Sequence, residues 1–225
     1  MQFKKIYPCL IFVFALLPIA TSYSQTSLYE LRTGRSGIGI GLSTTEDIRA
    51  ISGTLDYGID SNLRISFSAG VALIDDYEDD DVLEVPPSPI GAVSITRVDS
   101  LSETGLDYFL IGSFNATYSE VIDTSIDETF IRTRALGLTG GGGIFKRLDT
   151  ESGWILKPYF GIYSSNLWTL VINELWDDEE TDTSNSLLGE VGIEIEMSRT
   201  TSIVGSFGFS FQNSDTSLGI AINFH

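Results

Sequence analysis

Glu190, Glu194 and Glu196 recur at even spacing in "SLLGEVGIEIEM", and Lys157 alternates with apolar residues in "WILKPYFGIY". Carboxylates and an ammonium on one face of paired strands can neutralise each other in a confined interior, or line a constriction that selects cations. Asp56 and Arg64 raise the same question, because they flank a tight turn at 60–62 and share a face. If the strands carrying Lys157 and Glu194 are antiparallel neighbours, the two charges sit at similar depth. The expectation is a set of interior ion pairs, Asp56 with Arg64 and Lys157 with Glu194, extended by Glu190 and Glu196. A structural role outranks ion selection, since charges buried in a narrow interior must be paired in any case.

Other chemistry is mostly excluded. His225, the last residue, is the sole histidine. A Ser-His-Asp relay needs an imidazole oriented by a carboxylate, and a terminal residue is poorly placed for that. A carboxylate-only enzyme has no positive feature to support it. "GLTGGGGIFKR" lacks the Gly-Lys-Ser/Thr that opens a phosphate-binding helix, so Gly140 to Gly143 read as strand glycines that permit bending or close packing. "DDYEDDD" and "DDEETD" carry oxygen ligands but not the spaced calcium-loop pattern, so they read as solvated acidic loops. Weak bridging by divalent cations to anionic surface lipids is the one binding role they suggest. No catalytic, cofactor or metal site is expected.

The 225-residue chain has 31 Asp and Glu against 13 Lys and Arg. A nucleic-acid binder needs a basic face to release counterions, and a polybasic membrane-surface protein needs the same charge. Neither fits. The N-terminus, "MQFKKIYPCLIFVFALLPIATSYSQ", has Lys4 and Lys5, then an apolar run, then small residues at Ala20, Ser22 and Ser24. That is a secretory signal over residues 1–24. Cleavage removes Cys9, the only cysteine, and leaves no thiol for disulfides. A short periplasmic segment, 25–35, then precedes one domain, 36–225.

The elements that must position the charges have period two. In "LRISFSAGVAL", Leu63, Ile65, Phe67, Ala69, Val71 and Leu73 oppose Arg64, Ser66, Ser68, Gly70 and Ala72. Strands are expected at 36–43, 48–59, 63–74, 90–97, 105–118, 129–146, 153–166, 186–197, 201–212 and 216–225. Turns at 60–62, 98–104, 147–152 and 198–200 are short. "DDYEDDDVLEVPPSP", "EVIDTSIDE" and "ELWDDEETDTSNS" read as longer acidic loops at the other rim.

Three features point to lipid outside these strands and not water. The polar faces are Gly, Ser, Ala, Thr and Asn, which suit a narrow interior better than an open surface. Charges are nearly absent from the apolar faces, and Arg132 and Arg134 fall near the outer rim, where their cost is small. Tyr57, Tyr108, Tyr118, Trp154, Trp168, Phe211 and Phe224 lie near strand ends, as in interfacial aromatic girdles. An open sheet in lipid would leave unpaired edges, so the last strand must pair with the first. The fold class is therefore all-β, a closed antiparallel up-and-down transmembrane barrel of about ten strands, with eight as the alternative. The signal, the alternation and the final "TSLGIAINFH" resemble small outer-membrane β-barrels of the OmpA/OmpX-like, porin-like superfamily. That resemblance implies a Gram-negative outer membrane, lipid neighbours, and recognition of the last strand (Leu218, Ile220, Ile222 and Phe224) by the barrel-assembly machinery. It implies no single function: a structural or surface-interaction role, or a narrow pore, fits best. The competing reading is a secreted soluble β-sandwich or lipocalin-like binder.

Overall fold

The computed structural model describes residues 28, 33–46, 48–74, 83–101, 105–123, 128–174, 178–212 and 215–225. The signal sequence and the run "DDYEDDD" lie outside the described residues, as does most of the 25–35 segment.

Alternating apolar and small polar residues produce long strands: β1 (Ser36–Thr44), β2 (Ile48–Gly58), β3 (Leu63–Ile74), β5 (Ser88–Leu101), β6 (Leu106–Asp123) and β7 (Glu128–Phe145). After them come β9 (Ile155–Asn173), β10 (Asp178–Ser198), β11 (Thr201–Ser210) and β12 (Thr216–Phe224). Two-residue strands β4 (Leu83–Glu84) and β8 (Leu148–Asp149) sit beside β6 and β9. The ten long strands run antiparallel in chain order, and β12 returns to β1. Ile38 faces Phe224 and Leu42 faces Ile220 across that seam. With β9 also paired to β10, the ring is closed. Closure gives the first and last strands partners on both sides, which an oily surround demands.

The side chains are distributed inside out. Ile40 and Ile220 are 55% and 50% exposed, while Glu194 and Ser202 are 0% exposed. A soluble sandwich or lipocalin-like binder would turn the apolar face inward. Here that face points out around the barrel, so the soluble alternative does not fit.

The wall is uneven in height. β6, β7, β9 and β10 have 18, 18, 19 and 21 residues, against 9 for β1 and β12 and 10 for β11. The extra length lies at the rim opposite the chain's C-terminus. It absorbs sequence expected to be loop. Glu120–Asp123 of "EVIDTSIDE" belong to β6, and Asp178–Ser186 of "ELWDDEETDTSNS" belong to β10. Asp and Asn are poor strand formers. Backbone pairing decides the matter, since each residue from Asp178 to Ser186 has a partner on β9. β5 is likewise longer than the 90–97 expected for it.

The run Gly140 to Gly143 lies in β7, and three of the four glycines are tightly packed. A Cβ on Gly143 would come within 2.1 Å of the Phe160 carbonyl oxygen, and one on Gly141 within 2.3 Å of that of Ile162. Gly140 has no neighbour within 4 Å of such an atom.

Candidate functional site

The predicted charges all face the lumen and gather towards the end that holds the C-terminus. β2 and β3 meet in a short hairpin, so Asp56 and Arg64 lie across it, with Arg64 Nε 3.7 Å from the Asp56 carboxylate. Ser66 donates a further hydrogen bond to Asp56. Across the lumen, Lys157 on β9 is in register with Glu194 on β10. It is also ion-paired with Glu196, two residues further along. Its ammonium also donates to the Leu28 carbonyl at 2.9 Å and lies 5.9 Å from the Phe145 ring centroid.

Glu194 feels the Lys157 charge and also accepts from the backbone N–H of Leu28. Ser202 is a further hydrogen-bond partner. Lys157 and Glu194 thus hold the backbone of one residue, Leu28, by its C=O and its N–H, on two successive peptide units. The Leu28 side chain is fully buried in a cluster with Phe109, Phe145, Tyr159, Tyr163, Leu188, Val204 and Ala221. Leu28 itself, from the 25–35 stretch, therefore lies inside the barrel.

Glu190 lies deeper and away from the cations. Tyr159 donates to one of its carboxylate oxygens at 2.9 Å and Tyr163 to the other at 2.8 Å, and Ser206 is a third partner. Phe109 packs edge-on against Tyr159, with ring centroids 6.1 Å apart. The two tyrosines were legible as inward neighbours of Lys157, being two and six residues further along the same face. Leu28 carried no such signal, because nothing in its local sequence says that it turns into the lumen.

Towards the opposite rim the lumen wall becomes hydroxyl-rich, with Thr117, Ser119, Thr133, Thr139, Ser165 and Thr169 all buried. Beyond them Ile48, Val121, Ile131 and Val171 are buried and face inward. The interior is therefore layered from ion pairs, through an aromatic and aliphatic core, to hydroxyls and an apolar end.

Acyl-transfer chemistry finds no support in this geometry. Ser202 Oγ lies 3.4 Å from His225 Nε2, with Asp56 close enough to influence the imidazole. But Ser202 is fully buried, and Asp56 is engaged by Ser66 and Arg64. A nucleophile needs an open approach for the carbonyl carbon, and the burial of Ser202 leaves none in this conformation. Among the described residues no group of three or more His, Cys, Asp or Glu side chains is placed to hold a metal ion.

The aromatics divide between the two rims. Tyr57, Tyr108, Trp154 and Phe224 lie at the end that holds the C-terminus, and Tyr118, Trp168 and Phe211 towards the other. Tyr108 and Tyr118 share the outward face of β6. At about 3.3 Å per residue and a tilt near 40°, their separation spans roughly 25 Å along the barrel axis, the height of an outer-membrane apolar band. Tyr118 donates to Glu120, and Arg132 bridges Glu120 at 3.4 Å and Glu174 at 2.8 Å, so outward charge begins just above Tyr118.

No family model matches the chain, and no curated protein does. Solved structures do match. The translocator domain of the autotransporter NalP from Neisseria meningitidis has a TM-score of 0.52 and 8% identity, with 99% of this chain and 98% of that one covered. The N-terminal barrel domain of Pseudomonas aeruginosa OprF has 0.39 and 9%, covering 86% and 98%. LpxR from Salmonella typhimurium has 0.43 and 10%, covering 84% and 99%.

Proposed function

From a chain with the fold of an outer-membrane β-barrel, we propose a non-enzymatic barrel with a closed lumen, whose role lies at the cell surface and not in conduction. One observation carries this reading: Leu28 is wedged into the lumen, its backbone C=O and N–H held by Lys157 and Glu194 and its side chain by Phe109, Phe145 and Tyr159. A pore conducts only if ions meet a continuous wetted path with sites they can leave. Here the charged groups are tied up in ion pairs and hydrogen bonds, and the next level is apolar. On this reading the charges hold the barrel together, and the acidic outer wall meets the surroundings. The location is the outer membrane of a Gram-negative bacterium, reached by export, with β12 read by the assembly machinery. Lipid-facing strands that end in aromatic girdles support it.

Planar-bilayer recording of the refolded full chain tests the closed state. Wild-type protein is expected to give no unitary steps, and Leu28→Asp, which puts a charge into the apolar level, is expected to give flickering conductance. Steady cation-selective steps in the wild type, altered by Glu194→Gln, would replace the closed reading with a pore.

A further inference from the structure

The tall side of the barrel ends in a free sheet edge. β11 pairs with β10 only from Ser210 opposite Leu188 downward. One residue higher, Phe211 N–H donates to the Leu187 carbonyl at 2.9 Å and Gln212 Oε1 accepts from Leu187 N–H at 3.3 Å. Above that, β10 continues to Asp178 with β9 on one side and no strand on the other among the described residues. From Asp178 to Asn185 every residue is exposed, on both faces of the strand.

The direction of the free backbone groups follows from Leu187. Its N–H and C=O point to the β11 side, and backbone direction alternates along a strand. Glu179, Thr181, Thr183 and Asn185 therefore present their N–H and C=O groups to the open edge. One of these donors is already turned locally: Thr183 N–H donates to Asp182 Oδ1 at 2.8 Å. β9 is paired on its far side to β7 as high as Asn173 opposite Ile131, so β10 is backed by two strands along this stretch. The edge is preformed, and an added strand would bear its own ordering cost alone.

Charge selects the occupant. Asp178, Glu179, Glu180 and Asp182 fall within five positions, with Thr, Ser and Asn beyond them. Such charges guard a free edge against a like-charged strand, and a second copy of this acidic chain would set acid against acid. They favour a strand with Lys or Arg at alternate positions. We propose that the outer edge of β10, from Glu179 to Asn185, is a docking site for an extended basic segment of a partner protein, which adds as a further strand. This rests on the reading that the tall rim faces outward from the membrane.

The test uses the full chain refolded in detergent and a synthetic peptide of about nine residues alternating Lys and Thr. Thr181→Pro removes one edge-facing N–H and leaves the β9 ladder intact, the position at which a strand tolerates proline. Wild-type protein is expected to bind the peptide and to gain amide-exchange protection at Thr181 and Asn185. The Thr181→Pro variant is expected to bind about tenfold more weakly, as is Glu180→Gln with Asp182→Asn. Each variant must retain the heat-dependent gel mobility of a folded barrel, so that failure of the membrane reading and of the docking reading are told apart. Equal binding by Thr181→Pro would reduce the interaction to bulk charge and overturn the proposal, as would no binding by the wild type. Dimers in sedimentation that Thr181→Pro abolishes would overturn it in favour of a second copy. Calcium-dependent capture by lipopolysaccharide vesicles, lost in the same variant, would overturn it in favour of lipid.

Discussion

Glu190 shows how a buried acid is fixed without a cation. Both carboxylate oxygens receive a phenol, from Tyr159 and Tyr163, at 2.9 and 2.8 Å. Removing the carboxylate strands both phenols and frees the Ser206 hydroxyl to turn elsewhere, and each stranded donor costs about 1–3 kcal/mol. Glu190→Ala is therefore expected to lower unfolding stability by roughly 2–5 kcal/mol, read as a fall in the urea midpoint, while Glu190→Gln keeps an acceptor and loses less. His225 makes a pH-dependent contribution at the rim. Burial pushes its imidazole down to about 4, with Asp56 opposing and Arg64 and Lys157 assisting. In the unfolded chain it titrates near the ordinary 6.5. Unfolding thus takes up a proton between those values, so the stability it confers is full above about 6.5 and is lost as pH falls towards 4. The urea midpoint of the wild type should drop across that window, and that of His225→Asn should drop less. An equal drop in both would assign the effect to carboxylates elsewhere.

At the scale of elements, the glycine run separates two demands on a strand. Gly143→Ala forces a methyl against the Phe160 carbonyl, where the backbone must shift. Overpacking of that kind costs about 1–3 kcal/mol, whereas Gly140→Ala enters open space and should be near neutral. Paired urea titrations of the two variants check this, and equal effects would mean that the crowding at Gly143 is relieved without strain. The sequence marked these glycines as strand residues, yet it could not rank them, because the ranking depends on which carbonyl the neighbouring strand brings near. Strands whose apolar face meets lipid were legible almost to the residue, as in 63–74, since burial on one side and oil on the other enforce alternation. The stretch from Asp178 to Ser186 was not legible. Both its faces are wet, so no alternation is selected, and pairing to β9 alone makes it a strand. For the site, inward position was readable for Asp56, Arg64, Lys157 and the three glutamates. The contact with Leu28 was not: Lys157 and Glu194 lie in register, Lys157 is also ion-paired with Glu196, and both reach the backbone of a residue distant in sequence.

The whole molecule is organised by the solvent outside it. Phe114 lies on the outward face of β6 between Tyr108 and Tyr118 and is 47% exposed. In a bilayer it sits near the midplane of the apolar band, and Tyr118 sits at its edge. Arginine at the midplane costs about 2–4 kcal/mol, falling to about 0–1 near the interface. Phe114→Arg should therefore fold poorly into lipid vesicles, and Tyr118→Arg should fold almost as well as wild type, both scored by heat-dependent gel mobility and urea titration. The difference between the two variants tests the membrane reading more sharply than either alone. In a water-soluble barrel an exposed phenylalanine gains solubility when replaced by arginine, so the order would invert. The same contrast fixes the height of the tall wall. If Tyr118 marks the outer edge of the lipid band, the Arg132–Glu174 pair and the acidic strand from Asp178 stand in water, and neutral substitutions there should leave refolding into vesicles unchanged. A refolding defect from Asp182→Asn as large as that of Phe114→Arg would place the acidic edge at membrane depth, and the outer rim would have to be redrawn around it.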